Sequence, residues 1–225
     1  HIWAGRIAWL RAAWLKPPIL LETAEDFWLS AVLKNQLLHI VFIHPEMGIG
    51  GAERLIGQAA VACARAGHRV SIHTRRLDTA FQEMTEGNGI EFVIRGRAIT
   101  PKLIGRFELF FQIIWTAWIV FRIAITREKI NLLVSDLVPH AIMSSKVLCP
   151  SIPHLLYCHY PDQLMSSREK SGWYGLYRAP LDWIEARSFK LADLILVNSK
   201  FTLDAVRSVV PDLKEDAARV LYPGA

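Results

Sequence analysis

The residues of this chain that could do chemistry are glycines that bare a helix end, a carboxylate beside them, and histidines that close apolar runs. The stretch Leu38–Arg54, LHIVFIHPEMGIGGAER, reads as a buried strand, a turn containing Gly48, Gly50 and Gly51, and the start of a helix. Such a turn presents unpaired N–H groups and a positive helix end, which suits a phosphate- or sugar-bearing ligand. The glycines would let a bulky ligand approach the backbone; a tight strand-to-helix connection is the plainer alternative. Glu53 falls in the first helical turn, where its charge suits the dipole and where it could equally bind a sugar hydroxyl. His159 closes another apolar run, LLYC, and could bind a hydroxyl or a phosphate oxygen, or could serve the structure alone. Asn198 and Ser199 end a further run; they could contact a ligand, although capping the next helix is the simpler task. Asp136, His140 and His44 could join the same crevice, whereas His39 and His73 read as ordinary strand residues.

Several chemistries are excluded. The turn is followed by Ala52-Glu53-Arg54, so the third glycine of the dinucleotide fingerprint is missing, and a nicotinamide oxidoreductase is disfavoured. The Lys-Ser/Thr pair of a phosphate-binding P-loop is absent too. No metal-ligand spacing and no Ser/His/Asp triad can be defended, so no metal and no cofactor are expected. Cys63, Cys149 and Cys158 are odd in number and without CxxC spacing, which points to reduced core thiols. The net charge of +5 favours anionic partners, but no dense Lys/Arg run or basic–aromatic RNA motif exists, so nucleic acid is not expected.

These residues must be positioned by something. Hydrophobic residues make up 52% of the 225, enough for a sizeable core, and the mean hydropathy of +0.23 suggests apolar surface to hide in a partner or a bilayer. Strands are predicted at Leu38–Ile43, Arg69–Thr74, Ile90–Ile94, Asn131–Ser135, His154–His159, Leu194–Asn198 and Arg219–Leu221. Helical patterns fall near 51–66, 78–86, 102–128, 139–148, 174–192 and 200–209. Continuous apolar strands alternating with helices predict an α/β fold with a parallel sheet covered on both faces. Its strands would gather the glycine turn and His159 at one carboxyl edge. Residues 1–37 stand apart as an extension, either an interfacial Trp-rich amphipathic helix or an unstructured segment. Residues 107–125 are the most apolar region and admit three readings: a buried crossover helix, a helix in the membrane interface anchored by Trp115 and Trp118, or a span.

The loop His44–Arg54 resembles the N-terminal glycine loop of retaining family-four glycosyltransferases of GT-B fold. Three further stretches narrow the likeness: Tyr157–Asp162 (YCHYPD), Leu176–Glu185 (LYRAPLDWIE) and Ala192–Thr202 (ADLILVNSKFT). Together they resemble the alpha-1,3/1,6-mannosyltransferase family of the dolichol-linked oligosaccharide pathway, over about residues 38–223.

The resemblance implies that residues 38–225 form a Rossmann-like, acceptor-side N-terminal GT-B domain. It implies GDP-mannose as donor substrate and a dolichol-linked mannosyl-chitobiosyl diphosphate as acceptor. The setting would be the cytosolic face of the endoplasmic reticulum membrane, with other early glycosyltransferases of the pathway as partners. Carried over, Gly50 and Gly51 match the loop near donor phosphate and acceptor, and Glu53 its acidic position. His159 matches the histidine beside the transferred sugar and is the catalytic candidate, while Asn198 and Ser199 match a segment at the cleft edge. The family's C-terminal donor domain, with its Glu-x7-Glu pair, is absent from this sequence, so the isolated chain is expected to be inactive. Another family-four enzyme, or a noncatalytic membrane-associated binding module, are the alternatives.

Overall fold

The computed structural model describes residues 37–96, 108–126, 128–165 and 172–223. Seven of its strands form one wholly parallel sheet. In chain order the strands are β1 (His39–Ile43), β2 (Glu46–Met47), β3 (Arg69–Thr74), β4 (Arg76–Leu77), β5 (Ile90–Ile94), β6 (Leu132–Asp136), β7 (His154–Cys158), β8 (Leu194–Val197) and β9 (Ala218–Val220). The main sheet has the order β5-β3-β1-β6-β7-β8-β9, and β2 and β4 pair separately as a small flap. All seven predicted strands are present in the main sheet, within a residue or so at their ends. The flap pair was not predicted, because two-residue strands leave no periodic signal.

The helices are α1 (Gly51–Arg65), α2 (Thr79–Thr85), α3 (Glu108–Ala124), α4 (His140–Leu148), α5 (Asp162–Met165), α6 (Gly172–Leu191) and α7 (Lys200–Val209). The first helix buries an apolar stripe that includes Leu55, Ala59, Ala62 and Cys63. It stops at Gly67, whose φ of +89° is left-handed backbone that glycine adopts without steric cost.

Period-two alternation divides the core. On one face Ile40, Phe42, Val134, Leu155 and Tyr157 pack with Leu55, Ile56 and Cys63 of α1. On the other, Val41, Ile43 and Leu133 meet Trp115, Ile119 and Ile123 of α3, and Leu156 and Val197 meet Phe189 and Val206 of α6 and α7. Burying a Leu- or Phe-sized side chain contributes about 1.5–3 kcal/mol, which is why strands buried on both faces carry the fold. The three cysteines are free and buried, as expected.

The apolar helix α3 follows none of its three predicted readings fully. One face is core: Trp115 is buried, and its indole Nε1 donates to the Arg95 carbonyl at 3.0 Å. The opposite face exposes Phe110, Ile114, Trp118, Phe121 and Ile125, spaced by four, four, three and four residues. Trp115 is therefore a core residue, not an interfacial anchor. No helix among the described residues is long and apolar enough to cross a membrane. Residues 1–36, with the predicted extension, lie outside the described residues.

Candidate active site

The strand order reverses between β1 and β6: from β1 the chain builds outward to β3 and β5, then returns to β6 and builds the other way. Open α/β sheets bind ligands outside the carboxyl ends of the strands at this reversal. Register decides which side chains meet there. Ile43 pairs with Ser135 and Asp136 with Tyr157. One residue beyond Ile43 is His44, and two beyond Tyr157 is His159. Alternation puts His44, Asp136 and His159 on the α1 face of the sheet, the face shared by Phe42, Val134 and Tyr157.

Asp136 is wholly buried and lies between the two imidazoles. Its Oδ1 is 3.0 Å from His159 Nε2, and its Oδ2 is 3.4 Å from His44 Nδ1. The other nitrogen of His44, Nε2, is 4.0 Å from Glu53 Oε1 at the start of α1. A chain of alternating carboxylates and imidazoles thus runs from the glycine turn, under the rim, to His159. Glu53 and His159 are its half-exposed ends, and His44 and Asp136 its buried middle.

The electrostatics follow from this order. Burial by itself would depress His44, but Asp136 and Glu53 outweigh it and lift the imidazole to about 9. Glu53 is held below its usual range, chiefly by His44. Burial opposes the charge on Asp136, yet His159 and His44 together keep its carboxyl below the ordinary value. A buried carboxylate needs a partner cation of this kind, because desolvation of a lone charge is costly. The backbone just past Asp136 is left-handed at Leu137 (φ +61°), a conformation that a leucine adopts only when its surroundings impose it.

The glycines are not equivalent. A side chain at Gly48 or Gly51 would meet nothing within 4 Å. A Cβ at Gly50 would lie 2.2 Å from Glu53 Oε2, so Gly50 makes room for that carboxylate. Asn198 and Ser199 are engaged locally. The Ser199 hydroxyl caps α7 by accepting the Thr202 N–H at 3.1 Å, and Asn198 Oδ1 accepts from the Thr202 hydroxyl at 2.6 Å. That hydroxyl also lies 3.2 Å from the His159 carbonyl, so Thr202 links the Asn198 side chain to the His159 turn. The expectation for His140 is corrected. It lies in the first turn of α4, fully buried, with Nε2 3.2 Å from the Thr116 hydroxyl of α3, outside the crevice. His39, as expected, is a strand residue with Nε2 3.2 Å from the Ser71 hydroxyl.

A second device holds the turn after His159. Glu185 of α6, itself buried, accepts the N–H of Asp162 at 2.7 Å and of Gln163 at 3.0 Å. Arg178 pairs with Asp162 at 2.7 Å and with Asp182 at 2.8 Å. Burial pushes Glu185 up to about 7 against those two N–H bonds. Sequence reasoning assigned these residues no role. The signal was present all the same: the two stretches YCHYPD and LYRAPLDWIE interlock here as one unit.

The likeness to known proteins fits this architecture. A UDP-bound glycosyltransferase, LpCGTa, superposes with a TM-score of 0.56 at 15% identity, covering 84% of this chain and 53% of that one. The calicheamicin glycosyltransferase CalG4 does so at 0.52 and 15%, covering 84% and 53%. The fold is thus that of one half of a GT-B glycosyltransferase. The sequence profile of Glycosyltransferase Family 4 matches residues 49–225, and the chain belongs to that family. Among curated relatives, the alpha-1,3/1,6-mannosyltransferase of Neurospora crassa is 35% identical over 193 residues, covering 82% of this chain and 41% of the relative. That of Saccharomyces cerevisiae is 35% identical over 190 residues, covering 82% and 37%. The chain therefore spans about two fifths of the length of the relatives it matches.

Proposed function

We propose that this chain supplies the acceptor-side half of a retaining mannosyltransferase. The enzyme would move mannose from GDP-mannose to a dolichol-linked mannosyl-chitobiosyl diphosphate, first alpha-1,3 and then alpha-1,6. The names of the relatives support the sugar and the linkages. The observation that carries the reading is the charged crevice at the strand-order reversal, where Asp136 sits 3.0 Å from His159 and the glycine turn supplies Glu53. In this reading Asp136 fixes the imidazole of His159, and the positive His44 offsets the buried carboxylate. His159, at the rim, then hydrogen-bonds a hydroxyl of the reacting sugar. Helix ends and basic side chains of the complete enzyme would meet the charge of the leaving diphosphate, with no metal in the reaction.

The exposed stripe Phe110, Ile114, Trp118, Phe121 and Ile125 supports a further part of the reading, docking on the endoplasmic reticulum membrane that holds the lipid acceptor. Mannose transfer from GDP-mannose should be measured with this chain and with an extended form carrying a Glu-x7-Glu domain. The extended form is expected to transfer mannose, and His159→Ala within it to slow transfer by about 10²-fold or more. An inactive extended form would refute the reading. Glutamate at Trp118 and Phe121 together should abolish flotation with liposomes while leaving the fold intact. Trp115 is unsuitable for this test because it is buried.

A further inference from the structure

One side chain of α7 breaks the pattern of its helix. Thr202, Ala205 and Val206 are buried against the sheet, while Asp204, Arg207 and Ser208 lie on the outer side. Phe201 stands with the outer residues, 72% exposed. A phenylalanine so placed adds little to the core. It is nevertheless held in place by a second ring. Its plane lies 12° from that of Tyr160, with 5.8 Å between the centroids. Tyr160 covers one face of Phe201, and the exposure of Phe201 leaves the other face open.

The pair is built onto the candidate site. Tyr160 follows His159 directly and precedes Pro161, which confines the Tyr160 backbone to extended conformations. The next two amides, of Asp162 and Gln163, are held by Glu185. Phe201 adjoins Thr202, whose hydroxyl lies 3.2 Å from the His159 carbonyl. The Ser199 cap fixes the first turn of α7, which carries both residues. Both rings are thus anchored to the turn that presents His159, so a ligand has little left to order.

A flat apolar surface beside a hydrogen-bonding imidazole suits a pyranose lying on its C–H face. Sugars differ in this respect. A β-linked N-acetylglucosamine carries its ring substituents equatorially, so both of its faces present axial C–H groups. Mannose has an axial hydroxyl beside its anomeric carbon, which spoils one face. We propose that Tyr160 and Phe201 form a stacking platform for an N-acetylglucosamine ring of the acceptor, next to the sugar that His159 engages. The proposal rests on the mannosyltransferase reading for the acceptor, and adds a subsite and the two residues that build it. Phe201 meets the sugar, and Tyr160 backs its ring.

The test begins with NMR of the aromatic rings of the full chain, titrated separately with N,N′-diacetylchitobiose, methyl α-mannoside and phosphatidylcholine liposomes. Chitobiose should shift the Phe201 and Tyr160 rings at concentrations about tenfold lower than the mannoside does. Phe201→Ala should weaken chitobiose by about tenfold, and Phe201→Trp should restore it. Both variants should unfold close to the parental temperature, because the side chain is exposed. In the extended form, Phe201→Ala should raise KM for the acceptor by about tenfold, with a smaller change in kcat. Rings that ignore chitobiose, or that respond to liposomes only, would overturn the proposal. So would a parental KM in Phe201→Ala, and that result would leave the mannosyltransferase reading standing. An extended form that transfers no mannose would instead remove that reading, while the chitobiose titration still judges the platform.

Discussion

His44 and His154 are one residue type, almost equally hidden, at opposite ends of the same parallel sheet. His154 opens β7 at the amino edge. Its Nδ1 is 2.7 Å from the Ser145 hydroxyl, and burial, with Lys146 nearby, drives it down to about 3. His44 follows β1 at the carboxyl edge, where Asp136 and Glu53 overcome the same burial and raise it to about 9. Burial alone therefore does not decide the charge of a histidine; the nearest carboxylate does. The amino edge of the sheet holds a neutral, structural histidine, and the carboxyl edge holds a charged one within a crevice.

The largest effect should come from removing the carboxylate that makes the difference. Asp136→Asn leaves His44 without its main counter-charge, and breaking a buried pair of this kind costs about 3–5 kcal/mol. Chemical denaturation should show that loss, and the imidazole of His44 should fall from about 9, with Glu53 alone left to oppose burial. A stability change under 1 kcal/mol would mean that the two edges are electrostatically alike.

Next in size is the pH dependence, which has opposite signs at the two edges. The folded value of His44 is raised, so its contribution is complete below about pH 6.5 and is lost as pH rises through about 9. The folded value of His154 is lowered, so its contribution is present above pH 6.5 and is lost as pH falls toward about 3. Between pH 6.5 and 4 the unfolded chain gains a proton that the folded His154 refuses, an effect on the order of 3 kcal/mol. In a denaturation series His154→Gln should make that acid limb shallower by this share, leaving the shares of His73 and His140, which burial also lowers, and should not alter the alkaline limb.

The smallest effect tests the support of the site. Glu185→Ala removes the acceptor of two part-buried N–H groups, a loss of about 0.5–1.5 kcal/mol for each bond. Hydrogen exchange at the Asp162 and Gln163 amides should accelerate well beyond exchange in β7. Equal acceleration throughout the sheet would show that Glu185 supports the whole fold and not this turn.

The fold was legible because short apolar runs, the central ones buried on both faces, alternate with helical patterns. The site was legible only in part. His44, Asp136 and His159 each stand at a strand end, but which of them share a face depends on register, which one sequence does not encode. His140 was misplaced for a related reason: four residues beyond Asp136, it has already entered α4 and turned toward α3. The clamp by Glu185 and Arg178 was visible as two motifs, yet nothing in their spacing says that α6 folds back onto the turn after β7. The division of α3 into a core face and an exposed one was illegible, because a helix apolar all round has no preferred side until its neighbours are in place.

The central claim, a positive imidazole held between two carboxylates at the strand-order reversal, is tested most directly by NMR titration of the His44 ring. The account predicts a midpoint near 9, with the ring still charged at neutral pH. A midpoint at or below 6.5 would contradict it.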